Sequence, residues 1–221
     1  MRTDFRSDNF NSRDGQAVDM LVLHYTGMKD CAQALDRLCD AKAEVSAHYL
    51  IDESGEVFAL VDESERAWHA GVASWRGWSN INSRSIGIEL VNPGHEYGYR
   101  AFPDAQMQAL VPLCQEIQRR YRIPGRNIVG HADVAPQRKM DPGELFDWAG
   151  LAGAGVGLWP SLTDAPCSEA DVPGLLSEIG YDITVARAAV SAFQRHFATH
   201  RLDGVADDET RRALAALLTL I

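Results

Sequence analysis

The sequence predicts an α/β domain followed by a small all-helical one. Three observations carry this. Short apolar runs of strand length near residues 20–25, 45–61, 85–92 and 127–130 alternate with stretches of helical period at 30–41 and 104–121, the alternation that builds layered α/β folds. After Trp148 the chain reads AGLAGAGVGLWPSLTDAPC, a charge-poor, Gly/Ala/Pro-rich composition typical of a linker. Beyond it every apolar pattern has helical period. The boundaries read as 1–159 for the first domain, 160–170 for the linker and 171–221 for the helical domain.

Composition is ordinary for a globular chain: 221 residues, 46% hydrophobic and 24% charged, within the usual range. The net charge is −10, with nine acids and five bases from Pro160 onward (net −4) and 22 acids and 16 bases before it (net −6). Nucleic-acid binding needs a basic face, so that class is excluded. No apolar run approaches the roughly 18 residues of a membrane span. The polar start, MRTDFRSDNFNSRDGQAVDM, lacks the apolar core of a signal peptide. The four cysteines (31, 39, 114 and 167) show neither CxxC nor zinc-finger spacing, and buried thiols in a reducing compartment are the expectation.

Each element has a local reason. MLVLHY at 20–25 is a short apolar run ending in His24 and broken by Thr26-Gly27, a buried strand. Between 30 and 41, Cys31, Ala34/Leu35 and Leu38/Cys39 recur at three-to-four spacing, one face of an amphipathic helix. VSAHYLID and EVFALV flank Glu53-Ser54-Gly55, a β-hairpin. RAWHAGVASWRGWSNINSRS has three tryptophans and no clear period, and reads as a long loop of the kind that is usually functional. SIGIELVN at 85–92 is a further strand, with Glu89 among apolar residues. From 104 to 121 the set Met107, Leu110/Val111, Cys114, Ile117 and Tyr121 is helical in period; Pro112 inside it must kink the helix or face solvent. A last short strand at 127–130 leads into VGHADVAPQRKMDPG.

Three helices are predicted in the tail. Pro173 opens the first and Gly180 ends it, the proline-in, glycine-out asymmetry. Ala186, Ala189/Val190, Phe193 and Phe197 share a face of the second, and Leu214, Leu217/Leu218 and Ile221 a face of the third, which starts near Asp207 or Asp208, acids that suit its dipole. About 55 residues lie near the lower limit for a single core, so contact with the first domain is expected.

The segment VGHADVAPQRKMDPG concentrates ionisable groups between prolines, which suits a site on a braced loop. His131 and Asp141 are candidate metal ligands there. Lys139 shares a side with Asp141 if that segment is extended. His24, Glu89 and His131 are polar where a strand interior or edge should be apolar. A buried unpaired carboxylate costs several kcal/mol, so Glu89 needs a compensating group. Two histidines plus a carboxylate form a recognised catalytic zinc set; satisfied core histidines and a structural ion pair are the competing readings. Asp133 reads as a turn cap, His48 as structural, Trp75 and Trp78 as packing, and His95, His196 and His200 as solvated.

HYTG at His24, AWHAG at His69, IGIELVN around Glu89 and GHADVAPQRKMDPG at His131 resemble the zinc-dependent N-acetylmuramoyl-L-alanine amidases of the amidase-2 family, relatives of the bacteriophage T7 lysozyme and of peptidoglycan-recognition proteins. The resemblance spans roughly residues 15 to 160. LLSEIGYD, AVSAFQRHF and DGVADDETRRAL resemble the small peptidoglycan-binding domain that often accompanies them. The resemblance implies a central mixed β-sheet flanked by helices, a Zn2+ cofactor held by His24, His131 and Asp141, Glu89 as catalytic acid–base and Lys139 stabilising an oxyanion. Trp68, His69 and Asn92 are weaker candidates for binding substrate. The implied substrates are peptidoglycan fragments or muropeptides, cut between N-acetylmuramic acid (or its 1,6-anhydro form) and L-alanine. The implied setting is muropeptide recycling in the cytoplasm; the alternatives are the periplasm or cell envelope after removal of a leader, and a binding-only recognition module. The lack of a G-x-S-x-G elbow disfavours a serine hydrolase, and a glycosidase would need two carboxylates where only Glu89 is placed for such work.

Overall fold

The computed structural model describes residues 1–162 and 171–221. Most of the predicted linker, with Cys167, lies outside the described residues. Strand β1 (Phe10–Ser12) precedes β2 (Met20–Tyr25), which has the predicted bounds. Helix α1 (Cys31–Cys39) buries Ala34, Leu35 and Leu38, and the Asp30 side chain caps it by accepting from Gln33 N–H, the standard N-cap arrangement. The hairpin is present but short, β3 (Tyr49–Ile51) pairing antiparallel with β4 (Val57–Ala59).

The stretch expected to be a long loop is partly ordered into β5 (Glu65–Ala67), β6 (Ser74–Trp75), β7 (Trp78–Ser79) and α2 (Ile81–Arg84). β5 pairs with β1, and β6 with β7. Strands of two or three residues are too short to show a period, so the sequence carries no signal for them. Next come β8 (Ser85–Leu90), α3 (Gly94–Tyr97) and α4 (Asp104–Tyr121). α4 runs unbroken through Pro112, which is exposed, so the missing N–H faces water. β9 (Ile128–Gly130) feeds directly into α5 (His131–Val134). A short helix, α6 (Trp148–Gly153), occupies the start of the charge-poor stretch that leads into the expected linker. The tail forms α7 (Val172–Ile179), α8 (Ala186–Phe197) and α9 (Asp208–Leu218).

The central sheet is mixed, in the order β4-β3-β8-β2-β9, with β3, β8, β2 and β9 parallel and β4 antiparallel. Alternation along each strand sends side chains to opposite faces. Leu21 and Leu23 of β2 and Ile86, Ile88 and Leu90 of β8 pack with Leu110, Cys114 and Ile117 of α4. Met20 and Val22 face the other way, joining Val129, Trp75 and Ile81 in one core with Leu176, Ile179, Phe193, Leu214 and Leu217 of the tail helices. The tail therefore shares a core with the sheet, as its small size required. On that second face the last inward residue of β2 is His24, and its partner on β8 is Glu89. Both sit toward the carboxyl ends of parallel strands, where open α/β sheets bind their ligands.

Candidate metal centre and active site

His24 ends the inward row of β2, His131 opens α5 straight after β9, and Asp141 returns beside it from the PQRKMDPG loop. The Ala132 N–H donates to the Asp141 carbonyl at 2.8 Å, tying the two halves of that loop together. The three side chains converge. His24 Nδ1 lies 3.0 Å from His131 Nδ1 and 3.1 Å from Asp141 Oδ2, and His131 Nδ1 lies 3.0 Å from the same Oδ2. All are buried, at 1%, 4% and 6% exposure. Among the described residues they are the His/Cys/Asp/Glu group that could hold a metal ion.

The outer nitrogens assign the protons. His131 Nε2 lies 3.0 Å from the Ala70 carbonyl, which only accepts, so Nε2 carries a proton and the neutral ring presents a lone pair at Nδ1. A longer chain does the same for His24. The Ser85 hydroxyl donates to the Ile81 carbonyl, His69 Nε2 donates to Ser85 Oγ at 3.0 Å, and His24 Nε2 donates to His69 Nδ1 at 3.0 Å. His24 Nδ1 is then also a bare lone pair. Burial pushes both His24, to about 4, and His69, well below its ordinary range, toward the neutral form.

Three acceptors about 3 Å apart repel unless a cation sits among them. A single proton bridges one edge of the triangle; a metal ion serves all three corners. Ligand atoms about 2.0 Å from a tetrahedral ion would be about 3.3 Å apart, close to the observed spacing. The donor set fits a metal.

A cavity of about 370 Å³ opens at this cluster, with His69, Glu89, His131, Lys139 and Asp141 in its wall. Arg37, Arg138 and Tyr25 line it as well. Glu89 is 8% exposed, and its Oε2 is buried without a protein partner. Burial raises the Glu89 carboxyl well above its ordinary range; nearby Asp141 adds to this and Lys139 opposes it. A carboxyl whose proton affinity is raised in this way suits a group that takes up a proton and gives it back. Arg138 is held by the carbonyls of Ala70 and Val72, which steadies the residue before Lys139.

The weaker candidates are placed differently. His69 lines the cavity and also backs His24. Its ring packs on Gly87, where an added Cβ would come within 2.4 Å of the imidazole, so the glycine of IGIEL makes room for this histidine. The Trp68 indole N–H instead reaches Asn11. The buried Asn92 side chain donates to the Arg100 carbonyl and accepts from Gly94 N–H. Those two brace loops.

Two expectations need correction. His196 is not solvated: it is 4% exposed and its Nδ1 lies 2.7 Å from Asp133 Oδ2. Its place three residues after Phe193 was the missed signal. His95 is likewise partnered, by Tyr25 Oη at 2.9 Å and by Glu144. Asp133 caps its turn as expected, accepting from Gly130 N–H at 2.7 Å.

Fold and site together define a mixed-sheet α/β protein with a candidate His/His/Asp metal centre at the strand ends and a buried carboxyl beside it. Residues 14–144 match the Amidase_2 family, N-acetylmuramoyl-L-alanine amidase, and the chain belongs to that family. It is 39% identical over 230 residues to the N-acetylmuramoyl-L-alanine amidase AmiD of Escherichia coli K12, covering 91% of this chain and 82% of that protein. It is 44% identical over 109 residues to the 1,6-anhydro-N-acetylmuramyl-L-alanine amidase AmpD of Citrobacter freundii, covering 49% and 56%. The structure of the E. coli AmiD complex with anhydro-N-acetylmuramic acid-L-Ala-D-gamma-Glu-L-Lys superposes with a TM-score of 0.82 at 38% identity, covering 98% of this chain and 93% of that one. AmpDH3 of Pseudomonas aeruginosa, in complex with anhydromuramic pentapeptide, gives 0.81 at 33% identity over 96% and 94%.

Proposed function

We propose that this chain hydrolyses the amide bond between the lactyl group of N-acetylmuramic acid, or its 1,6-anhydro form, and L-alanine, in peptidoglycan or released muropeptides, with zinc as cofactor. The observation that carries the reading is the juxtaposition of three converging lone-pair donors with a buried, unpartnered Glu89 on one cavity wall. The anhydro-muramyl ligands named for the two solved relatives support the substrate class.

His24, His131 and Asp141 would hold the ion, a two-imidazole, one-carboxylate set that leaves a fourth position open. Zinc bound there supplies Lewis acidity, lowering the pKa of a water to about 7. Glu89 accepts the proton of the attacking water at its free Oε2 and delivers it to the departing L-alanine nitrogen. A raised pKa suits a group that must be base and acid in turn. Lys139 Nζ stabilises the oxygen that becomes negative in the tetrahedral intermediate. The chain's own part is to orient these groups and to keep Glu89 away from bulk water.

Residues 171–221 are proposed as a peptidoglycan-binding-like domain joined through 160–170 to an amidase domain at 1–159; the three-helix arrangement supports this. The unpaired Cys31, Cys39 and Cys114 support a reducing compartment, hence cytoplasmic recycling, which cell fractionation tests. Among the described residues no helix is long and apolar enough to cross a membrane.

Digestion of muropeptides read by mass spectrometry tests the activity: free stem peptides are expected, and disaccharides released with peptides still attached would sink the reading. Glu89→Gln should lower turnover by about 10²–10⁴-fold while metal content stays at one ion per chain. Loss of the metal with that change would make Glu89 a ligand instead.

A further inference from the structure

α5 is a single four-residue turn with His131 at its first position and Asp133 at its third. His131 faces the cavity, whereas Asp133 faces the tail helices. Its carboxylate accepts from three directions. Tyr181 Oη donates to Oδ1 at 2.6 Å, while His196 Nδ1, at 2.7 Å, and Gly130 N–H, at 2.7 Å, both address Oδ2. Carboxylates accept only, so the His196 Nδ1 carries the proton. Burial, with Asp133 beside it, holds the Tyr181 phenol well above its ordinary pKa, so it remains a donor. Both donors are locked by packing. Tyr181 stands edge-on to Trp75 at 5.0 Å between ring centroids, and His196 is stacked between Trp148 and Phe197, each at 3.7 Å.

The neighbouring residue of α8 addresses the other half of the same loop. Arg195 Nε lies 3.9 Å from the Glu144 carboxylate, three residues after Asp141. Glu144 in turn meets His95 Nε2 at 3.2 Å, and His95 Nδ1 meets the hydroxyl of Tyr25 on the cavity wall at 2.9 Å. Two consecutive residues of one tail helix thus face the segments that present His131 and Asp141, His196 through a hydrogen bond and Arg195 through a looser charge contact.

We propose that Tyr181 and His196 are positioning residues of the amidase site: through Asp133 they set the angle at which His131 meets the metal, so the tail helices are a working part of the metal centre and not only a glycan-binding appendage. This rests on the zinc amidase reading above. Metal affinity and turnover are sensitive to such outer partners, typically by about 10–100-fold.

The test uses the full chain with Tyr181→Phe, His196→Leu and His196→Asn. Phenylalanine removes one oxygen and keeps the ring packing, and asparagine returns an N–H donor near the place of Nδ1. Zn2+ affinity is measured by competition with a chromogenic chelator, and kcat and KM separately on a muropeptide. Tyr181→Phe and His196→Leu should each weaken Zn2+ binding about tenfold and lower kcat with KM unchanged, and His196→Asn should recover much of both. Parent-like Zn2+ affinity and kcat in all three, or a rise in KM alone, would overturn the proposal. A parent protein that binds no Zn2+ would overturn the amidase reading itself, which separates the two failures.

Discussion

The two sides of the α5 turn present buried carboxylates to buried histidines in opposite ways. Toward the tail, Asp133 meets three N–H or O–H donors, and each of those donors is used once. Toward the cavity, Asp141 meets two imidazole nitrogens whose protons are committed elsewhere, His131 to the Ala70 carbonyl and His24 to His69. Similar residue types and similar burial give a closed network on one side and an open one on the other. The deciding variable is where the far nitrogen of each ring sends its proton. A buried polar cluster with donors and acceptors matched is architecture; one with acceptors only is a socket for a cation.

Removing the metal should therefore act on one side alone, with the largest effect on stability. An ion present at about 1,000 times its Kd contributes about 4 kcal/mol to folding. In a chain of this size 1 kcal/mol moves Tm by about 2–4 °C. Dialysis against a chelator should lower Tm by about 10 °C in scanning calorimetry, and adding Zn2+ should restore it. An unchanged Tm in a protein stripped of metal would mean that protons already satisfy the front triangle, and the contrast would collapse.

Breaking the closed side gives a somewhat smaller loss. Asp133→Ala leaves the Gly130 N–H, the Tyr181 O–H and the His196 N–H without their acceptor. At about 1–3 kcal/mol for each unsatisfied buried group, partly relieved by relaxation, the cost is about 3 kcal/mol, read from urea unfolding. Combining it with Tyr181→Phe removes one of the stranded donors. The double variant should be less destabilised than the sum of the two singles. Strict additivity would mean that the three donors are not one network.

The open side was legible in the sequence and the closed side was not. His24, Glu89 and His131 stand out because a polar side chain breaks an apolar strand or its edge, and Asp141 because it closes a proline-braced loop. The bounds of β2 follow from an unbroken apolar run and those of α4 from helical periodicity. The closed side is built between segments 48 and 63 residues apart, Asp133 with Tyr181 and with His196, and no local pattern links them. His196 lies on the apolar stripe of α8 with Ala189 and Phe193, which was a signal, but its partner could not be read from the helix. The ladders at 65–79 are too short for any periodicity. The sharing of one core by the tail and the sheet was expected from size alone, with no residue to name until Met20, Val22 and Phe193 were seen together.

A further buried histidine, His48, is a control for both sides. His48 Nδ1 accepts from Gly87 N–H at 2.9 Å, and its Nε2 faces the Glu65 carbonyl and the Arg13 guanidinium. It is fully enclosed by protein yet ligates nothing. Burial first, and the charge of Arg13 second, push it down to about 3. The folded value thus lies below that of the unfolded chain, near 6.5. Above pH 6.5 neither state binds the proton and the full stability is present. As pH falls toward 3 the unfolded chain takes up a proton that the folded chain refuses, so stability drops by about 1.4 kcal/mol per pH unit from this group. His48→Asn keeps an acceptor for Gly87 N–H and cannot titrate. Urea unfolding of the metal-free protein between pH 6 and 5 should show a slope shallower than the parent's by about that amount. Equal slopes would show that His48 takes up its proton in the folded state. Burial beside Arg13 would then not suffice to keep a ring neutral here, and the neutral assignment of His24 and His69 on the open side would lose its support.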